Sequence, residues 1–224
     1  MGTQITEHFF EHNGLKYFRG KAEDVELASY GQKKAELSKD PYLAIQNKVK
    51  SQHLTGRVKG VEPVAVAWNT TSKGDIGARG FLNVFGVKGE RAIETSYDEA
   101  QKGKVKLVGF TIDEGPLRTM LNTDADGARK YLESEGQDGR IVSKIWVAML
   151  GEMADDFSAS AGYTVSANVL GIGLDIIAKG GTKGSQKISL AKGATFAYGL
   201  HKVKDWNKGK TRIENMEDDN KSWG

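Results

Sequence analysis

Eighteen consecutive residues, Phe157 to Leu174, carry no charge. The odd positions supply Phe157, Ala159, Ala161, Tyr163, Val165, Ala167 and Val169, and between them stand Ser158, Ser160, Gly162, Thr164, Ser166 and Asn168. Successive side chains of a strand point to opposite faces, so the alternation predicts one apolar face backed by one small, polar face. A membrane helix does not fit, because more than half of the run is Ser, Thr, Gly, Asn or Ala and no apolar stripe recurs at helical spacing. Ordinary strands have about 5–6 residues, yet this alternation continues from Phe157 to Val169. A strand that crosses a bilayer needs about 9–11 residues with an apolar outer and a polar inner face. The pattern fits two structures: a long half-buried strand of a soluble sheet, and a strand able to span a membrane.

The chain has 224 residues, enough for one large domain with a sizeable core. Glycine is abundant at 28 and proline scarce at three, which suits bulged, twisted sheet better than a disordered linker, where proline also rises. The absence of cysteine excludes disulfides, thiolate metal sites and cysteine nucleophiles. No charged segment followed by an apolar stretch opens the chain, so cytoplasmic synthesis is expected. Net charge is only +3 but unevenly placed. Residues 179–212 hold nine Lys or Arg against the single acid Asp205, while 61–178 carry a surplus of five acids. Such a layout points to a polyanionic partner, a phospholipid surface or a nucleic acid, although lysines also protect sheet edges.

Along the chain, 1–18 and 41–49 suggest short helices, the first broken by Asn13-Gly14 and the second opened by Asp40-Pro41. Strands are expected at 61–68, 75–87, 104–112 and 141–150, and Leu117 to Glu133 reads as a helix that Gly127 divides. A closing hairpin is expected from 187–190 and 194–203 around Lys192-Gly193. The order gives an α+β fold, a twisted antiparallel sheet with long hairpins and a few short helices. One domain is expected over 1–212, with an acidic tail at 213–224.

Motifs for catalysis are weak. His8-Phe9-Phe10-Glu11-His12 matches an H-x-x-E-H zinc pattern, but only two other histidines, His53 and His201, exist to complete a site. The glycine-rich loop at 180–185 lacks the Lys-Ser/Thr spacing of a phosphate loop and precedes no helix. No enzyme, metal or cofactor is expected. Gly2 with Thr6 fits an N-myristoylation pattern.

Residues 104–205 resemble the amino-terminal pore-forming domain of gasdermins. Leu107 to Asp113 with the Leu117/Leu121 helix looks like that family's strand, acidic stop and helix; Arg140 to Val147 resembles its next apolar strand; Lys187 to Leu200 is similar to its basic strand, glycine and Ala-Tyr ending. The first 70 residues agree only in the order of elements. Since no inhibitory domain follows residue 212, the likeness is to the short fungal cell-death members, in which a related partner protein supplies control. The resemblance implies two amphipathic hairpins, here about 73–112 and 141–178, that unfurl into a membrane β-barrel. It further implies a self-oligomer at acidic phospholipid membranes, movement from cytoplasm to plasma membrane, and lytic cell death. Lipid contacts are expected at Lys16, Arg19, Lys21, Lys33, Lys34, Lys48 and Lys50, and membrane insertion at Phe157, Tyr163, Val165, Ala167 and Val169. The alternative is a soluble nucleic-acid-binding module using the basic carboxy-terminal region, ranked lower because Phe196, Tyr198 and Trp206 are not spaced as a stacking platform.

Overall fold

In a computed structural model the structure describes residues 3–6, 8–34, 43–65, 105–151, 154–155, 162–167, 174–181, 184–190 and 193–219. The expected strand at 75–87, Phe157 and Val169 lie outside these residues. Among the described residues thirteen strands form two sheets, and every pairing among them is antiparallel. With two short α-helices among the described residues the fold is broadly α+β, as the sequence predicts.

The amino terminus is a strand meander: β1 (Gln4–Ile5), β2 (Phe9–His12) and β3 (Leu15–Phe18). Asn13 and Gly14 both have positive φ, at 52° and 77°, which makes a two-residue hairpin turn matched to strand twist. The helix expected there is therefore replaced by a hairpin whose turn residues are the predicted breakers. Next come β4 (Ser29–Lys33) and β5 (Leu43–Lys48), the latter a strand where the sequence suggested a helix. β6 (Val58–Ala65) and β7 (Val105–Ile112) pair from Val58↔Ile112 to Ala65↔Lys106.

Helix α1 (Glu114–Thr123) buries Leu117, Met120 and Leu121, and α2 (Asp126–Glu135) buries Ala128 and Leu132, the i, i+3, i+4 stripes of core-facing helices. Pro116 sits in the first turn of α1, where its missing N–H costs nothing. The break falls at Asp124-Ala125, just before Gly127, and both of those N–H groups donate to the Met120 carbonyl at 2.8 and 3.0 Å.

β8 (Gly139–Leu150) is the hub. One edge pairs with β12 (Ala197–Trp206); the other pairs first with β4 at 139–141 and then with β7 at 144–150. β12 also meets β3 through the single pair Tyr198↔Phe18. On its free side lies β13 (Ile213–Asp218), so residues expected as an acidic tail belong to the sheet. β9 (Gly162–Ala167), β10 (Leu174–Gly181) and β11 (Gly184–Leu190) make the second, three-stranded sheet, and β11 pairs with β10 instead of closing a hairpin with β12. Leu174, Ile176 and Leu190 join the main core beside Ile145, Leu54 and Leu27. A second cluster on the opposite face of the large sheet gathers Phe10, Tyr17, Val105, Leu107, Trp146, Ala148 and Phe196.

Candidate functional site

Register turns the one-strand alternation into a property of the small sheet. Tyr163, Val165 and Ala167 stand opposite Ala178, Ile176 and Leu174. Ile176 and Leu174 in turn stand opposite Ile188 and Leu190. Directly opposed residues share a face, so these positions form one apolar face across three strands. The alternate positions join Gly162, Thr164 and Ser166 with Lys179, Ile177 and Asp175, and then with Lys187 and Ser189. Polar residues dominate that face, and Ile177 is its exception. The apolar side contributes Leu174, Ile176 and Leu190 to the core, at 5% exposure or less.

The seven basic residues separate into two groups. Lys21, Lys34 and Lys50 are exposed and form no ion pair with any described residue. Lys16 holds its ammonium 4.9 Å from the Phe9 ring centre. Lys48 is paired with Glu26 at 2.7 Å, and Lys33 lies 3.6 Å from the buried Asp219. Arg19 does not fit the expectation for this form: it is fully buried, its guanidinium donates to the Thr6 carbonyl at 2.5 Å and stacks 4.3 Å from the Phe196 ring. Its charge fastens the amino-terminal meander to the start of β12.

A feature the sequence reading missed is a polar cleft of about 340 Å³ where β3, β7, β8, β12 and β13 meet the start of α1. Its floor is a bulge. β12 passes from Gly199 to Leu200 while β8 passes from Lys144 to Val142, so Ser143 is the extra residue, and both Ser143 and Lys144 line the cleft. Gly199 keeps the floor open, since a Cβ there would stand 3.4 Å from the Tyr17 ring and 3.5 Å from the Lys144 Cβ. Lys144 Nζ donates to the Tyr17 hydroxyl at 3.1 Å and lies 4.9 and 4.6 Å from the Tyr17 and Trp146 ring centres. Burial, helped by the nearby Asp218 carboxylate, pushes the Tyr17 phenol up to about 12, so it stays neutral.

Ser143, His201 and Asp218 meet at this cleft, but not as a nucleophilic relay. The Ser143 hydroxyl lies 2.7 Å and an Asp218 carboxylate oxygen 3.1 Å from the same ring atom, His201 Nδ1. A relay needs one ring nitrogen for the nucleophile and the other for the orienting acid. Burial holds His201 below its ordinary value, opposed by Asp218 and Glu114. At neutral pH the ring is therefore uncharged. Among the described residues no group of three or more His, Asp or Glu is placed to hold a metal ion, and His8 and His12 flank and end a strand rather than a helix.

Comparisons with known protein families, with characterised proteins and with solved structures find no match to this chain.

Proposed function

We propose that this protein is a membrane pore former of gasdermin type, which binds acidic phospholipid, oligomerises and crosses the bilayer with amphipathic β-strands. The observation that carries the reading is the register of β9, β10 and β11, which extends one apolar and one mainly polar face across three neighbouring strands. Such a sheet already has the two-sidedness that a barrel wall needs, one face for lipid and one for water. In this form Leu174, Ile176 and Leu190 of that face lie in the main core; in a membrane, hydrocarbon would replace that core. Ring closure would then satisfy the outer strand edges, because lipid offers backbone groups no partner. Lys21, Lys34 and Lys50 are the cations free to meet headgroups, each contributing about 1 kcal/mol near an anionic surface. Leakage of the cell that makes it, and hence lytic death, is the expected consequence.

The nucleic-acid reading gains nothing from the aromatics of the basic end. Phe196 and Tyr198 are buried, and Trp206 packs against the core, so none is presented for base stacking.

Dye release from vesicles tests the proposal. Vesicles containing acidic lipid should leak, neutral vesicles should not, and replacing Lys21, Lys34 and Lys50 together by Glu should suppress both sedimentation with acidic vesicles and leakage. Absence of leakage from acidic vesicles at every protein concentration would refute pore formation, and equal leakage from neutral vesicles would refute its electrostatic part.

A further inference from the structure

Around the cleft, nearly every charge is already answered. Asp113 is paired with Lys59, Glu114 lies 3.6 Å from Arg118, and Glu217 lies 2.9 Å from Lys202 and 3.9 Å from Lys204. Two have no direct ion-pair partner. Lys144, whose charge burial disfavours, touches only a phenol and two aromatic faces and feels the Asp218 carboxylate across the cavity; Asp218 touches only the His201 ring. Both line the same cavity, and no ion pair joins them. An ammonium with one neutral acceptor keeps two N–H directions open, and a carboxylate with one contact keeps most of its acceptor capacity.

We propose that this cleft binds a small zwitterion, an ammonium and an anionic phosphate or carboxylate on a short linker, with the anion on Lys144 and the ammonium on Asp218. A simple anion would find Lys144 but be repelled by Asp218; a simple amine would meet the reverse. A zwitterion of matching polarity answers both charges and adds no net charge to a half-buried site. The bulge that turns Ser143 and Lys144 to one side, and the glycine that leaves the floor bare, give the ligand its room. The neutral His201 completes the site, since a charged ring would take Asp218 for itself. The charged or titratable groups facing that ring are Asp218 from β13 and Glu114 from α1, with the Ser143 hydroxyl from β8. A phosphoethanolamine diester has the required chemistry, whether free as glycerophosphoethanolamine or as a lipid headgroup, since a monoester would carry a second negative charge.

The proposal does not rest on pore formation, and the two fail separately: leakage from acidic vesicles free of phosphoethanolamine reports on the pore, binding of the probe on the cleft. Titration calorimetry with glycerophosphoethanolamine should show saturable one-to-one binding, with ethanolamine and dimethyl phosphate each weaker by about tenfold or more. Asp218→Asn and Lys144→Met should each weaken the zwitterion by about tenfold or more. Asp218 is 56% exposed, so its variant keeps the fold and carries the test even where Lys144→Met does not fold. Binding should also weaken as acid protonates His201. Neutral vesicles with and without phosphatidylethanolamine then distinguish the source: retention on the former assigns the lipid headgroup, and binding of the free compound alone assigns a soluble ligand. No saturable binding up to about 10 mM, equal binding of either half-molecule, or an unchanged Asp218→Asn would overturn the proposal.

Discussion

Asp219 closes the large sheet, and its removal should unfold the protein well below the parent's midpoint. Its carboxylate lies 2.8 Å from Arg140 Nε on β8 and 3.6 Å from Lys33 on β4, while its N–H donates to the Leu200 carbonyl on β12 at 2.8 Å. Arg140 and Asp219 side chains are each only 5% exposed. The guanidinium also donates to the Gln137 and Gly139 carbonyls at 2.6 and 3.0 Å. Removing one member of a buried pair leaves the other charge desolvated, at a cost of about 3–5 kcal/mol. Asp219→Asn keeps the volume and Arg140 keeps its two carbonyls, so the lower end, about 3 kcal/mol, is expected. In a chain of this size each kcal/mol moves the thermal midpoint by about 2–4 °C, so the fall should be about 6–12 °C. The internal control is the exposed Lys59–Asp113 pair, whose side chains are 65% and 45% exposed. Lys59→Gln should cost under about 0.5 kcal/mol.

Urea unfolding of the parent, Asp219→Asn, Arg140→Met and the double variant supplies the coupling energy directly. The double variant should be less destabilised than the two singles added together, by about 1–3 kcal/mol. Asp219→Asn within about 0.5 kcal/mol of the Lys59→Gln control, or strictly additive singles, would refute the reasoning. Either result would mean that burial does not govern the strength of this pair.

A Cβ at Gly31 would stand 1.9 Å from the Ala44 carbonyl oxygen of β5, so Gly31→Ala should cost about 3 kcal/mol in urea unfolding. Gly199→Ala meets only ordinary contacts and should cost under about 1 kcal/mol. His201 is held below its ordinary value of 6.5 by burial, so as pH falls below that value the unfolded chain takes up the proton first and stability declines until the folded ring protonates. Urea midpoints measured from about pH 8 to about pH 5 should fall, and His201→Gln should flatten the curve; an unchanged slope would remove the histidine from the account. In vesicles, Val165→Lys should abolish leakage, since a cation at the bilayer midplane costs about 2–4 kcal/mol in every subunit. Ser166→Lys, opposite Asp175 in the register, should leave much of it, provided both variants are monodisperse before lipid is added.

Much of the strand order was readable because alternation survives where a strand has one wet face. The errors share a cause: neighbours distant in sequence decide the outcome. Asn13-Gly14 breaks a helix and also makes a hairpin turn, and the choice is fixed by pairing Phe9 with Phe18 and Phe10 with Tyr17. β13 reads as an acidic tail because its buried residues, Ile213 and Met216, are three apart rather than two, a spacing produced by register shifts against β12. The cleft draws Tyr17, Lys144, His201 and Asp218 from four separate strands, so no local window contains it. One signal was present. Ser143-Lys144 interrupts the otherwise apolar run from Ile141 to Leu150, and a cation in such a place is either misplaced or purposeful.

The two sheets also differ in what a membrane would ask of them. Around β7 and β8 both faces are apolar: Val108, Phe110, Ile145 and Val147 lie in the main core, while Val105, Leu107, Trp146 and Ala148 lie in the opposite cluster. A barrel wall made of these strands would turn Trp146 and Leu107, or Ile145 and Phe110, toward water, and such burial is worth about 1.5–3 kcal/mol for each large side chain. That loss recurs in every subunit and no lipid contact on the other face offsets it. β9 and β10 carry far less of this conflict, because their register separates Val165, Ala167, Leu174 and Ile176 from Thr164, Ser166 and Asp175, with Ile177 the one large apolar residue on the polar face. If the protein forms a pore as proposed, the expected span of 141–178 should contract to its second half. β8, paired on both edges and buried on both faces, would then stay behind as scaffold, and the crossing strands of the proposed pore would be β9 and β10.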